Sequence, residues 1–176
     1  EGVLQSPSSG AAQYSFSTTG ALVYVPGGVQ GFQSRPVWVS RNGTEQPLPA
    51  PARAYQFPRL SPDGKRMAAA VAEQEMLVWT YDLARETLTR LTFEGNNNNT
   101  PTWTPDGKRI AFNSNRAGPS PNLFWQLADG SGGIERLTTS EYLHSPASLS
   151  PDGQLLAYLE INPTTGFDLW TLQLND

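Results

Sequence analysis

The chain has 176 residues, of which 38% are hydrophobic and 16% charged, and its 16 glycines and 15 prolines favour many short segments joined by turns. A formal net charge of −4 and a longest apolar run of only residues 67–72 exclude a basic nucleic-acid-binding surface and a membrane helix, so we expect no nucleic acid partner and no membrane insertion. The lack of cysteine and the single histidine exclude disulfides, thiolate chemistry and a multi-histidine metal site within one chain, so we expect no cofactor.

A nine-residue pattern built around a Pro-Asp-Gly turn recurs along the chain. In chain order it reads FSTTGALVY at 16–24, LSPDGKRMA at 60–68, WTPDGKRIA at 103–111 and LSPDGQLLA at 149–157. We call the third residue of each copy its third turn position. These positions are residues 18, 62, 105 and 151, and they are 44, 43 and 46 residues apart. Proline presets φ, aspartate accepts backbone hydrogen bonds and glycine tolerates positive φ, so each copy predicts a tight turn between two strands.

Each repeat also contains a tryptophan in a short apolar segment. The four residues are Trp38, Trp79, Trp125 and Trp170, which follow the third turn position by 20, 17, 20 and 19 residues. Short segments that are rich in aromatic and aliphatic residues and bounded by Gly, Pro, Asn and Asp are typical of strands. The tryptophans therefore predict one equivalent strand in every repeat.

Four antiparallel strands in about 44 residues, repeated in tandem, are typical of a β-propeller blade. We therefore predict an all-β fold, a β-propeller with four blades of four antiparallel strands per chain, as one domain over residues 1–176. Residues 67–74 have helical propensity, but the repeat aligns them with strand-like segments and we predict a strand there as well. The predicted repeats span about 11–54, 55–97, 98–143 and 144–176.

The ring has three possible closures. The last repeat has only three strands of its own, and residues 1–10 contain a short apolar segment at 2–5 that would complete it. Supplied within one chain, that strand gives a closed four-bladed ring, and exchanged between two chains it gives an eight-bladed ring. The third arrangement is an arc of a longer propeller, which we favour, with self-association of the isolated chain as a homo-oligomer through its blade edges.

The repeated turn pattern resembles the WD-like repeats of the TolB-type β-propeller. The segments 20–28, 82–92 and 121–126 also resemble the C-terminal propeller of bacterial serine/threonine protein kinases, although the chain contains no kinase segment. This resemblance implies a bacterial, non-catalytic sensor or binding domain located outside the cytoplasm, in the periplasm or at the cell surface.

Catalytic motifs are not apparent in the sequence. It has no Gly-x-Ser-x-Gly elbow, and the glycine-rich residues 130–133 read as a hairpin turn because no Lys-Ser/Thr follows them. Asp63, Asp106 and Asp152 recur in equivalent turns, where capping of the turn explains them. We therefore expect no enzymatic activity, with a TolB-like propeller enzyme of the carbohydrate lyase or hydrolase type as the alternative.

Candidate ligand-binding residues lie where the chain approaches the first strand of each repeat, because propeller ligands usually meet the loops at one mouth of the ring. The residue types at these positions differ from repeat to repeat, whereas the residue types in the strands after the turns are similar in all repeats. The candidates are Arg53, Tyr55, Asn98, Asn99, Tyr142 and His144. Together they would offer stacking and hydrogen bonds to a protein, peptide or small polar ligand. Ordinary loop variation is the competing interpretation, with a purely structural role for the chain.

Overall fold

A computed structural model describes residues 3, 14–17, 20–25 and 33–174. These residues contain strands and no α-helix, and the fifteen strands form four separate antiparallel sheets in which sequence neighbours pair. Sheet 1 consists of β1 (Tyr14–Phe16), β2 (Leu22–Tyr24), β3 (Val37–Val39) and β4 (Glu45–Pro47). Sheet 2 consists of β5 (Ala54–Leu60), β6 (Arg66–Ala72), β7 (Met76–Asp82) and β8 (Thr87–Arg90).

The second half of the chain repeats this arrangement. Sheet 3 consists of β9 (Asn98–Trp103), β10 (Arg109–Ser114), β11 (Asn122–Leu127) and β12 (Glu135–Arg136). Sheet 4 consists of β13 (Leu143–Leu149), β14 (Leu155–Asn162) and β15 (Gly166–Gln173). The all-β prediction is confirmed, and so is the strand predicted where residues 67–74 have helical propensity.

The Pro-Asp-Gly turns join the first and second strands of sheets 2, 3 and 4. In the first of them, Ser61 Oγ donates to Asp63 Oδ1 at 2.6 Å and accepts from the Arg66 N–H at 2.9 Å, while Asp63 Oδ1 also accepts from the Lys65 N–H. Gly64 has a φ of +68°, which a side chain would strain. The same hydrogen bonds recur around Asp106 and Asp152, so capping of the turn accounts for these carboxylates.

The four repeated tryptophans, Trp38, Trp79, Trp125 and Trp170, all lie in the third strand of their sheets, but they are not equivalent. Trp79 pairs with Ala69, seven residues after the third turn position, whereas Trp125 pairs with Ala111, six residues after it. This shift of one residue turns the two side chains to opposite faces. Trp79 packs on the cluster shared by sheets 1 and 2, and Trp125 packs on the cluster shared by sheets 3 and 4.

Successive sheets pack face to face, and each interface has one repeated contact. The residue two positions before the third turn position reaches onto the preceding sheet. Trp103 in sheet 3 shares a buried cluster with Ala68 and Val78 of sheet 2, and Leu149 in sheet 4 packs against Ala111 and Leu123 of sheet 3. The hydrophobic core is therefore a series of layers between sheets.

The array of described strands is open. Sheet 1 contacts sheet 2, sheet 2 contacts sheet 3 and sheet 3 contacts sheet 4, whereas no described strand of sheet 4 contacts one of sheet 1. The closed four-bladed ring is thus not seen in this part of the chain. The predicted fourth strand from residues 1–10 lies outside the described residues, except for Val3.

We expect the turn carboxylates to make stability depend on acid pH. The Thr104 hydroxyl and the Lys108 N–H hold the pKa of Asp106 below its usual range. A lowered pKa stabilises the folded chain above the unfolded value of about 3.9, and this contribution is lost as the pH falls through the folded value. Urea unfolding of wild type and Asp106→Asn should show a wild-type advantage at neutral pH that narrows below about pH 4. An advantage that stays constant with pH would contradict this account.

We expect Trp103 to contribute more to the free energy of unfolding than Trp170 does. Trp103 is buried, stacks under the Arg66 guanidinium at 4.7 Å and donates from Nε1 to the Arg59 carbonyl at 3.0 Å. Trp103→Ala should lower the free energy of unfolding by about 3–5 kcal/mol. Trp170 is 50% exposed, and Trp170→Ala should cost about 1 kcal/mol or less. If both variants lost the same free energy of unfolding in denaturant titrations, the contact of Trp103 between sheets 2 and 3 would not be a dominant contribution to stability.

Candidate functional site

The predicted ligand-binding residues lie at one end of the sheets, where the first strands begin. We call this the upper end and define it by residues 53–56, 96–99 and 142–145. Counted from the third turn position, these segments are equivalent to one another. The Pro-Asp-Gly turns lie at the opposite, lower end, because each first strand runs from one end to the other.

Two of the predicted residues are buried and hold the loops that precede their strands. Tyr55 donates from its hydroxyl to the Pro51 carbonyl at 2.9 Å, and burial raises the pKa of Tyr55 to about 12. Asn98 donates from Nδ2 to the carbonyls of Glu94 and Gly95 at 3.1 and 2.9 Å. Both side chains are fully buried, so their polar groups face the protein interior.

His144 occupies the equivalent position in sheet 4 and is also buried, at 4% exposure. The Thr138 hydroxyl oxygen accepts from the Leu123 N–H at 3.0 Å and lies 2.9 Å from His144 Nδ1. His144 Nε2 lies 2.7 Å from a carboxylate oxygen of Glu160, and because a carboxylate only accepts, Nε2 is the donor in this hydrogen bond. This chain of hydrogen bonds joins the end of sheet 3 to two strands of sheet 4.

The other predicted residues are partly exposed. The Arg53 guanidinium lies 4.7 Å over the Trp79 ring and pairs with the Glu73 carboxylate. Asn99 accepts at Oδ1 from the Thr100 N–H at 2.9 Å, and Tyr142 is half-buried. The structure thus divides the six candidates into a buried set, Tyr55, Asn98 and His144, and a partly exposed set, Arg53, Asn99 and Tyr142. Ligand binding by either set stays a prediction.

Hydrogen bonds from the preceding repeat hold the backbone of the upper-end loops. Ser34 and Arg53 exchange backbone hydrogen bonds at 2.8 and 3.1 Å, and the Met76 N–H donates to the Asn96 carbonyl at 3.0 Å. In the last loop, Asn122 Nδ2 donates to the Tyr142 carbonyl at 3.2 Å. Arg53, Asn96 and Tyr142 occupy equivalent positions, nine residues before the third turn position. The same scaffold position therefore presents three different side chains.

Two features of this end were missed from the sequence. Phe57 and Thr100 have positive φ values of 51° and 47°, and each precedes a proline at an irregularity in strand pairing. The residue before proline avoids the right-handed helical region, and this preference is the only indication of these bulges in the sequence. Nothing in the sequence indicated Glu160 as the partner of His144, because it lies 16 residues away in the next strand.

Within the described ranges, no group of three His, Asp or Glu side chains is arranged to hold a metal ion. No helix among the described residues has the length and apolarity needed to cross a bilayer.

The family model of the TolB beta propeller domain (PD40) matches residues 33–174, which is most of the chain. The chain belongs to this family. The crystal structure of TolB from Acinetobacter baumannii superposes with a TM-score of 0.78 at 22% identity, covering 93% of this chain and 41% of that one. At this identity the likeness shows the fold alone, and it supports the propeller reading of the four stacked sheets.

Two curated relatives match shorter stretches of this TolB-type chain. An uncharacterized protein of Agrobacterium fabrum is 31% identical over 100 residues, or 56% of this chain and 33% of that protein. The uncharacterized peptidase YuxL of Bacillus subtilis is 29% identical over 104 residues, or 55% of this chain and 16% of that protein. The TolB-type chain therefore spans a third or less of the curated relatives it matches. The TolB part of the predicted resemblance is confirmed, and the kinase-linked part stays a prediction.

We expect His144 and Glu160 to act as one stabilising unit in the TolB-type fold. His144→Ala leaves the Glu160 carboxylate, with 13% of its side chain exposed, without its partner, and should lower the free energy of unfolding by about 1–3 kcal/mol. The double variant with Glu160→Gln should lose less than the sum of the two single variants. Chemical denaturation of all four proteins measures this coupling, and strict additivity would rule it out.

Proposed function

We propose that this TolB-type chain is a non-catalytic interaction module that binds a protein, a peptide or a small polar ligand at the upper end. The observation that supports this most is the arrangement of Arg53, Asn96 and Tyr142. Each has its backbone held by the preceding sheet, and each presents a partly or fully exposed side chain from the same repeat position. A ligand binding there meets groups already in place, which lowers the entropy lost on binding.

The chemistry of these groups suits a polar ligand with a planar or carbonyl-bearing part. Arg53 offers hydrogen-bond donors, and its stacking on Trp79 together with the Glu73 ion pair holds the guanidinium in one orientation. Tyr142 adds an aromatic face with a hydroxyl, and Asn99 adds an amide. Peptide backbones and small polar metabolites present complementary groups.

The residues with catalytic potential are engaged in the fold, which supports a non-catalytic role. His144 is buried between Thr138 and Glu160, away from solvent. Asp63, like its counterparts in the other two turns, accepts hydrogen bonds from its own turn. General acid–base work requires a group within reach of a substrate, and these groups are used for structure.

An enzymatic role is the alternative, as a hydrolase or lyase built on the same propeller. It is favoured by the likeness to YuxL, which is described as a peptidase. That likeness covers 16% of YuxL, so the alternative concerns a whole protein that is much longer than the matched segment.

Peptide-array binding tests the proposed site. The double variant Arg53→Ala/Tyr142→Ala should weaken binding of the selected peptides by about tenfold or more, since each replacement removes one exposed anchor. A matched control is Lys65→Ala/Lys108→Ala, which alters two exposed residues at the lower end and should bind as wild type does. Binding that survives the first change, or is lost equally with the second, would contradict the site.

Turnover assays separate the alternative. Purified chain is incubated with chromogenic peptide substrates and with a panel of polysaccharides, and we expect no product above the buffer rate. If product formation persisted through repeated purification, it would contradict the non-catalytic proposal and support the enzymatic alternative.

A further inference from the structure

The outer face of sheet 4 is apolar, and none of the described strands packs on it. The pairs Ile161–Phe167 and Leu159–Leu169 place these side chains on one face of β14 and β15. Phe167 is 74% exposed and Leu169 is 80% exposed, and Leu155 and Ile161 are exposed as well. Soluble proteins seldom leave such a group of large apolar side chains in water without a binding role.

The repeat shows what covers this face elsewhere in the array. Val78 in sheet 2 and Leu123 in sheet 3 are equivalent to Leu169 by their strand pairing, and both are completely buried. Val78 lies in the cluster with Trp103 of the following sheet, and Leu123 lies in the cluster with Leu149 of the following sheet. The residue that covers the face is thus always the one two positions before the third turn position of the next repeat.

At the opposite end of the array, the residue at this covering position has no sheet to cover among the described strands. Phe16 stands at the position of Trp103 and Leu149, and it is 63% exposed. It is flanked by Tyr14, whose ring meets it edge to face with centroids 5.4 Å apart. The described sheets therefore have both halves of one repeating contact, one on sheet 1 and the other on sheet 4.

We propose that two copies of this chain associate head to tail, with Phe16 of one copy seated on the Leu169 face of the other. Trp103 of sheet 3 covers sheet 2 at Ala68 and Val78. The residues of sheet 4 that are equivalent to these two are Ala157 and Leu169. Because each copy brings one Phe16 end and one Leu169 face, two such contacts close a ring of eight sheets, and closure removes both exposed surfaces. This inference is independent of the ligand proposed at the upper end.

Light scattering during gel filtration tests the association. At about 100 µM the wild-type chain should elute with twice its chain mass of 19.2 kDa. Leu169→Asp and Phe16→Asp should each elute as monomers, because a carboxylate cannot be buried in either half of the contact. The matched control is Phe93→Asp, since Phe93 is 69% exposed and follows β8, away from both surfaces, and it should remain dimeric. Circular dichroism melts confirm that each variant is folded.

Mixing the two monomeric variants decides the geometry. Leu169→Asp retains an intact Phe16 end and Phe16→Asp retains an intact Leu169 face, so the mixture should form a dimer through one contact. No gain in mass on mixing would overturn head-to-tail association, and a dimer that survives either Phe16→Asp or Leu169→Asp would indicate that like surfaces meet. A wild-type chain that stays monomeric would overturn the proposal outright and leave further sheets of the same polypeptide as the cover.

Discussion

Everything in this structure depends on one contact, the seating of a large side chain from one sheet on small residues of the sheet before it. Ala68 and Ala111 stand at equivalent positions and are completely buried. Their methyl groups let the next sheet approach closely enough for Trp103 or Leu149 to reach the preceding sheet. Short sheets of three or four strands cannot bury both faces alone, so each becomes stable only through its neighbours.

The same neighbour-to-neighbour dependence builds the upper end. The backbone of Arg53 is held by Ser34, which precedes β3 of sheet 1, and the loop carrying Tyr142 is held by Asn122 of sheet 3. The loops of one sheet are thus shaped by the previous sheet. A change inside a sheet interface would therefore reach the loops of the next sheet through these hydrogen bonds, without touching a loop residue.

The sequence was most informative where a residue's role is local. The Pro-Asp-Gly turns follow from φ preferences and short-range hydrogen bonds, and their spacing located every first and second strand of sheets 2, 3 and 4. It was least informative about side-chain direction. Tyr55 and His144 looked like surface residues of a mouth and are buried, because bulges and strand pairing decide which way a residue points.

The tryptophans show the same limit from another side. A spacing of 17 or 20 residues from the turn looks like the same strand with minor variation, yet a one-residue shift in pairing turns Trp125 towards sheet 4 and Trp79 towards sheet 1. Part of the difference in spacing is a difference in loop length, and the spacing alone does not show how large that part is. Register is a property of pairs of strands, so it follows from the fold and is not readable in one segment.

The first residue of the second strand shows how the repeat changes where the array is uncovered. Arg66 reaches the Gly107 carbonyl of the next sheet at 2.8 Å and stacks on Trp103, and Arg109 stacks on Trp125 at 4.3 Å. At this position sheet 4 has Leu155. A guanidinium is held by an aromatic face and by hydrogen-bond acceptors, so Arg66 ties sheet 2 to sheet 3, whereas Arg109 stacks within its own sheet. Leu155 has neither a charge nor a donor, and with 40% of its surface exposed it extends the apolar outer face of sheet 4.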